Sequence, residues 1–257
     1  MGELLQIKDV SYSYHNLDGE TLALKDVSFH VNDGEFLAIV GPSGCGKSTL
    51  LSLIAGLIRP DNGDINIENK NIKLSGKNIG YMLQKDHLLE WRSTLKNLTL
   101  GLEIQHKLTD SSYVLINDML STYGLITFKN AKPSELSGGM RQRAALIRTL
   151  LLEPDILLLD EPFSALDYQT RLEVADDIWS IIRKEKKTAI LITHDISEAV
   201  SMADRIIVLT KRPGTVKSII EVKLTVEDKT PFRSRSAPEF KDYFNLIWKE
   251  LNHNEIN

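Results

Sequence analysis

The sequence predicts an α/β fold built on a mostly parallel sheet. Three observations predict it. A glycine-rich loop, Gly41-Pro42-Ser43-Gly44-Cys45-Gly46-Lys47-Ser48, stands between an apolar run of strand length, Glu35 to Val40, and a helical stretch, Thr49 to Leu57. Ile156 to Leu159 is continuously apolar and Thr188 to Thr193 nearly so, the pattern of strands buried on both faces of a parallel sheet. From residue 154 onward strand and helix patterns alternate, which implies crossover connections between parallel strands.

In chain order, Leu5 to Val10 alternates apolar and polar residues, as an edge strand does. Tyr12 and Tyr14 follow, then a polar loop from Asn16 to Glu20 and a second strand over Leu22 to Phe29. The turn Asn32-Asp33-Gly34 delivers the chain into the strand before the glycine loop. The helix after that loop ends near Gly56, and Pro60-Asp61-Asn62-Gly63 turns the chain into strands at Asp64 to Glu68 and Ile79 to Leu83. From Lys85 to Glu153 the strand patterns vanish. Helical stretches at Thr94 to Ile104, Ser111 to Tyr123 and Gly139 to Leu152 predict a helical insert. Beyond it come the strand ending at Asp160-Glu161 and an amphipathic helix with Leu172, Ala175, Ile178, Trp179 and Ile182 on one face. Two further core strands, Thr188 to Thr193 and Arg205 to Leu209, flank a short helix around Ser197 to Met202. The tail has a strand-like stretch over Val216 to Val226, a polar segment, and a helix over Glu239 to Leu251.

Composition bounds the function. At 257 residues the chain forms one large domain or two modest ones. A formal net charge of -4 argues against a nucleic-acid-binding surface. Cys45 is the single cysteine, so an internal disulfide is excluded and a reducing compartment is expected. At its position it reads as a small filler. Met1 to Gln6 lacks a secretion pattern, and no apolar run approaches the ~20 residues that span a bilayer. The expectation is a protein that is neither secreted nor membrane-spanning by itself.

The chemistry is concentrated at strand ends. The glycine loop has the pattern G-x-x-x-x-G-K-[ST] in a strand–loop–helix context. Glycines let backbone N–H groups converge on a triphosphate, and the helix N-terminus adds partial positive charge. Lys47 reaches outer phosphates, and Ser48 offers a hydroxyl to Mg²⁺. Asp160 and Glu161 end a buried strand, where parallel sheets bind ligands. An Asp there holds a Mg²⁺ shell, and a Glu beside it activates a water for attack on the γ-phosphate. His194 ends another apolar strand; if that strand neighbours the one bearing Glu161, it arrives at the same edge and can serve as a γ-phosphate sensor. Gln84 ends another strand as a neutral Mg²⁺ ligand. Leu136-Ser137-Gly138-Gly139-Met140-Arg141-Gln142-Arg143 opens a helix with Ser137 at the N-cap, a second phosphate-binding loop. One triphosphate does not need two such loops from one chain. A head-to-tail homodimer, with nucleotide sandwiched between the loops of two copies, is the economical arrangement.

With these motifs together, the chain resembles the ATP-binding subunit of an ABC transporter over residues 3 to about 215. Gly41 to Ser48 resembles the family's Walker A loop, Gln84 its Q-loop, and Ile156 to Glu161 its Walker B strand with the catalytic glutamate. Leu136 to Met140 resembles the LSGGQ signature, with Met140 in place of Gln. Ser164-Ala165-Leu166-Asp167 is similar to the D-loop, and His194 to the switch histidine. The resemblance implies a P-loop NTPase core with an antiparallel β subdomain and a helical insert. It divides the chain into a core at 1–86 and 154–215, a helical signature subdomain at 87–153 and a C-terminal extension at 216–257. It implies that Tyr14, and less so Tyr12, stacks on adenine. It implies ATP held by Tyr14, residues 41–49 including Thr49, Gln84, Ser137, Gly138 and Gly139. Mg²⁺ falls to Ser48, Gln84 and Asp160, and catalysis to Glu161, His194 and Lys47. The implied partners are a second copy, a transmembrane permease and a substrate-binding protein, with no nucleic acid. The implied place is the cytoplasmic face of a membrane, bound peripherally. Leu88 to Arg92, Lys211 to Gly214 and the Phe240 to Leu251 helix resemble importers of nitrate, sulfonates and taurine, and related subunits for thiamine-precursor pyrimidines. A soluble ABC ATPase without a permease is the alternative, and a small-molecule kinase a third reading.

Overall fold

The computed structural model describes residues 2–16, 19–68, 70–71 and 78–252. Strands β1 (Glu3–Asn16) and β2 (Gly19–Asn32) pair antiparallel, and β1 pairs on its other side with β4 (Asn62–Ile67), which carries β5 (Lys70–Asn71). The alternating pattern at Leu5 to Val10 is thus one half of a longer strand. The expected polar loop is shorter than its composition suggests, because Asn16 pairs with Gly19 and draws both into the ladder. Leu17 and Asp18 lie outside the described residues, as do 253–257 of the C-terminal extension.

The second sheet runs β10-β9-β3-β8-β7-β6. Its strands are β3 (Phe36–Val40), β6 (Ile79–Met82), β7 (Ile156–Asp160), β8 (Thr188–Ile192), β9 (Arg205–Leu209) and β10 (Val216–Glu221). Five are parallel, and β10 joins β9 antiparallel. The strand-like pattern of the tail ends at Glu221, short of the expected Val226. The continuous apolar runs are buried on both faces. Phe36, Ala38 and Val40 face one cluster with Leu157, Leu159, Ala189 and Leu191, and Leu37 and Ile39 face the other with Ile156, Leu158, Ile190 and Ile192. Each fully buried Leu or Ile contributes roughly 1.5–3 kcal/mol of transfer free energy.

Helix α1 (Lys47–Ile54) packs between this sheet and the β1–β2 ribbon. The insert holds α2 (Thr94–Ile104), α3 (Asp110–Thr122) and α4 (Gly138–Leu150), with single 3₁₀ turns at 126–128 and 133–135 that the pattern does not foretell. Helix α4 belongs to two cores at once. Ala145, Leu146 and Leu150 pack toward the sheet, while Ala144, Ile147 and Leu151 pack among Leu98, Leu102, Ile116 and Leu120. Helix α5 (Tyr168–Lys184) buries Val174, Ala175, Ile178, Ile181 and Ile182. Leu172 and Trp179, expected on the core face, are only half-buried at its margins; Trp179 donates its indole N–H to the Met202 carbonyl at 3.0 Å. Helices α6 (Ile196–Met202) and α8 (Phe240–Asn252) pack against each other, and a short α7 (Pro231–Ser234) interrupts the polar segment.

Candidate functional site

The parallel strands β3, β6, β7 and β8 place their C-terminal ends side by side, and the motif residues emerge there. After β3 the chain winds through the glycine loop. Gly44 and Gly46 take left-handed φ values of 75° and 105°, open to glycine at little cost. A Cβ on Gly41 would stand 2.8 Å from Cys45 Sγ, and one on Gly46 2.9 Å from the Ala23 carbonyl oxygen. The loop therefore has no room for side chains at Gly41 and Gly46. Lys47 is 7% exposed and donates to the carbonyls of Gly41 at 2.8 Å and Pro42 at 3.1 Å, so its ammonium lies inside the loop. Pro42 is half-buried and Ser43 exposed on the rim. Cys45 is buried and burial pushes its thiol up, which matches a filler and not a nucleophile.

Ser48 donates to Asp160 Oδ1 at 3.3 Å, joining the start of α1 to the end of β7. The Tyr81 hydroxyl of β6 donates to Asp160 Oδ2, also at 3.3 Å. Burial raises the proton affinity of Asp160, against the pull of the Ser48 and Tyr81 hydroxyls. Burial and then the Asp160 charge push the Tyr81 phenol up to about 12. A buried carboxylate beside a hydroxyl is an all-oxygen donor set suited to Mg²⁺. A glycine cradle with an enclosed ammonium is suited to a polyphosphate.

Glu161 has a left-handed backbone, φ 45°, rare for a residue with a side chain. Its N–H donates to the Ile192 carbonyl of β8 at 2.9 Å, and its carbonyl accepts from the Ser164 amide at 3.2 Å and hydroxyl at 3.0 Å. These bonds hold a strained turn that aims the carboxylate. His194 Nδ1 lies 3.2 Å from Glu161 Oε2, and Gln84 Nε2 donates to the same oxygen at 3.3 Å. Gln84 also donates to the Ser164 hydroxyl at 3.3 Å. Sequence positions 84, 161, 164 and 194 thus form one cluster beside the Ser48–Asp160 pair.

Tyr14 is 47% exposed, and its hydroxyl is 3.0 Å from that of Thr49 in α1. Tyr12 meets Tyr14 edge to face at 5.0 Å and is itself half-buried against the core. Tyr14 is the more exposed of the two. Ser137 caps α4 by accepting from the Met140 amide at 3.3 Å. Gly138 lies against Leu166, and Gly139 against Val174 and Thr170. The second glycine loop therefore leans on the segment after β7.

Several residues matter here that motif reading passes over. Gly214 crosses the glycine loop so closely that a Cβ would overlap the Cys45 carbonyl; it is bonded to Ala23 at 2.9 Å and Lys25 at 3.0 Å. Arg212 donates to the Gly44 carbonyl at 3.3 Å. In the sequence these two are visible only as part of a subgroup marker. Asp86 is gripped by Arg141, and Arg148 donates to the carbonyls of Asp86 and His87, tying the stretch after Gln84 to α4. Burial opposes ionisation of Asp86, but Arg141, the Leu88 amide and Arg148 hold its carboxyl below the usual range.

The profile of the ABC transporter family matches residues 24–164. The uncharacterized ABC transporter ATP-binding protein YtlC of Bacillus subtilis is 45% identical over 248 residues, covering 96% of this chain and 95% of that protein. The nitrate import ATP-binding protein NrtD of Synechocystis sp. is 38% identical over 247 residues, covering 95% and 93%. Among solved structures, the dimeric post-hydrolysis state of the ATP-binding cassette MJ0796, bound to ADP and Pi, superposes with a TM-score of 0.73 at 31% identity, covering 86% of this chain and 99% of that one.

Proposed function

The chain belongs to the ABC transporter family as an ATP-binding ATPase subunit, and from that premise we propose that two copies drive a solute importer. The observation that carries the reading is the convergence of Lys47, the Ser48–Asp160 pair and the Gln84–Glu161–His194 cluster at one sheet edge. Residues 41–49 cradle the phosphates of ATP, with Lys47 against the outer ones, and Tyr14 stacks on the base. Ser48, Asp160 and Gln84 hold Mg²⁺, which supplies charge neutralisation on the phosphate oxygens. Glu161 takes a proton from a water as that water forms its bond to the γ-phosphorus. The bond to the leaving ADP oxygen breaks, giving ADP and phosphate. His194 orients the Glu161 carboxylate and senses the γ-phosphate. Ser137, Gly138 and Gly139 of a second copy close the site, a reading supported by the dimeric, ADP- and Pi-bound MJ0796 cassette.

No described helix is long and apolar enough to cross a membrane. The partner of an importer's ATPase subunit is a permease, at whose cytoplasmic face the subunit sits. Trp91 is 75% exposed beside an open groove of about 530 Å³ lined by Arg92, Leu95, Lys96, Thr99, Glu103 and Tyr113. This groove continues the segment that begins at Gln84, and it suits a permease helix. The cargo class is that of the nitrate, sulfonate and taurine importers, or a thiamine-precursor pyrimidine, delivered by a substrate-binding protein. Similarity to NrtD favours an anion. The test is Mg²⁺–ATP hydrolysis by the purified chain and by Lys47→Ala. Hydrolysis lost in the variant supports the reading, and equal turnover refutes it. Stimulation of the permease complex by a binding protein loaded with nitrate or a sulfonate tests the cargo.

A further inference from the structure

Arg171 lies outside the motifs and outside the cluster around Glu161. It sits in the first turn of α5, which Asp167 caps by accepting from the Thr170 amide at 3.1 Å. Its side chain folds back across the helix start. One guanidinium nitrogen, Nη2, donates to the Leu166 carbonyl at 3.1 Å, inside Ser164–Asp167. On its other side the fork meets the segment after His194. Nη1 lies 3.6 Å from Asp195 Oδ2, and Nε lies 3.9 Å from Glu198 Oε1.

Both of those carboxylates are tied to the backbone around His194. Asp195 caps α6, accepting from the Ser197 amide at 2.7 Å and the Glu198 amide at 3.3 Å. Glu198 is 4% exposed and accepts from the Thr193 hydroxyl at 2.5 Å. The Thr193 hydroxyl accepts in turn from the Asp195 amide at 3.0 Å. Thr193 and Asp195 are the two neighbours of His194, so this network grips the histidine's backbone from both sides. Arg171 Nε is buried and has no hydrogen-bond partner among the described residues. A buried donor left unmade is costly and calls for an explanation. The nearest carboxylate oxygen in its ion pair, Glu198 Oε1, stands 3.9 Å away, about an ångström beyond hydrogen-bond range.

We propose that Arg171 is a positioning residue that couples the Ser164–Asp167 segment to His194, through Asp195, Glu198 and Thr193. The inference rests on the role given to His194 above. A guanidinium suits this place because its planar fork addresses a carbonyl and two carboxylates together, which an ammonium does not. A second copy that pressed on that segment would shift Leu166, and the fork would carry the shift to the histidine. His194 then meets Glu161 in or out of register. Misplacement on the scale of an ångström at a reacting centre costs on the order of 10²-fold in rate.

The experiment is a double-mutant cycle on full-length chain, reading kcat and KM for ATP. Arg171→Met removes the fork and keeps the stem, and Arg171→Lys keeps the charge. Arg171→Met is expected to lower kcat by about 10- to 100-fold with KM nearly unchanged, and Arg171→Lys to recover little of it. In a His194→Ala background Arg171→Met is expected to have no further effect, because the residue acts through the histidine. An equal fold-loss in both backgrounds would mean a separate structural role and overturn the coupling. Normal kcat in Arg171→Met alone would overturn it too. If Arg171→Met fails to fold, the cycle is run with Arg171→Lys, judged by the same additivity. If His194→Ala alone leaves turnover intact, the role of His194 falls and the coupling with it. A slow His194→Ala beside a normal Arg171→Met removes only the coupling.

Discussion

Glu161→Gln separates chemistry from binding most sharply. The substitution keeps side-chain length and removes basicity. In the structure both partners of the carboxylate, His194 Nδ1 and Gln84 Nε2, converge on one oxygen, Oε2. An amide oxygen placed there still accepts from Gln84 and stays in contact with His194. The left-handed backbone and its three clamping bonds involve main-chain atoms, which are identical in the variant. Stability is therefore expected to change by less than about 1 kcal/mol. If Glu161 is the general base, its loss is expected to slow hydrolysis by about 10²–10⁴-fold. At about 1.36 kcal/mol per tenfold this is about 2.7–5.4 kcal/mol in the barrier. Lys47, Ser48 and Asp160 remain, so ATP and Mg²⁺ still bind. Removing a negative charge near the γ-phosphate favours the closed pair of subunits. The assay pairs single-turnover hydrolysis with the lifetime of the Mg²⁺–ATP dimer. Slow hydrolysis in a long-lived dimer is the expected result. Near-normal hydrolysis would refute Glu161 as the base, and slow hydrolysis with lost ATP binding would place it in the metal shell instead.

Three further outcomes follow from the geometry. Ser137→Arg is expected to leave folding and monomeric ATP binding intact and to abolish the ATP-dependent dimer in the Glu161→Gln background; an unimpaired dimer peak in size-exclusion chromatography would count against the trans role of this loop. Gly214→Ala forces a Cβ onto the Cys45 carbonyl and is expected to cost about 1–3 kcal/mol of stability and to weaken ATP binding, seen by calorimetry; unchanged melting and affinity would show that the loop has slack. Tyr81 titrates from 10.0 toward about 12 in the fold, so its contribution is complete below pH 10 and is lost as pH rises toward 12. The stability difference between the wild type and Tyr81→Phe in urea is expected to shrink by about 1 kcal/mol between pH 9 and 11, and a constant difference would refute that shift.

Much of this architecture is legible in the chain because its signals are local. Arg205–Leu209 and Thr94–Ile104 occupy the residues their patterns predict, since a strand buried on both faces and a helix capped by Ser93 declare themselves within a few residues. The polar loop after Tyr14 does not, because ladder pairing of Asn16 with Gly19 overrides turn composition. The strand after Val216 stops where its pairing with β9 ends, at Glu221 opposite Arg205, and no composition change marks that point. Trp179 reads as a core residue, yet its indole N–H needs a partner and finds it at the helix margin.

The sequence by itself determined the family, the alternating α/β plan, the glycine cradle and the acidic strand end, because spacing and residue type carry the chemistry of each. Only the tertiary structure decided what meets what. That one carboxylate oxygen takes both Gln84 and His194, that Gly214 braces the phosphate loop, and that Arg171 spans two loops are consequences of strand order. The order β3-β8-β7-β6 brings residues 84, 161 and 194 to one edge from distant parts of the chain. Contacts of that range depend on sheet pairing and helix packing across the whole core, which local periodicity does not encode.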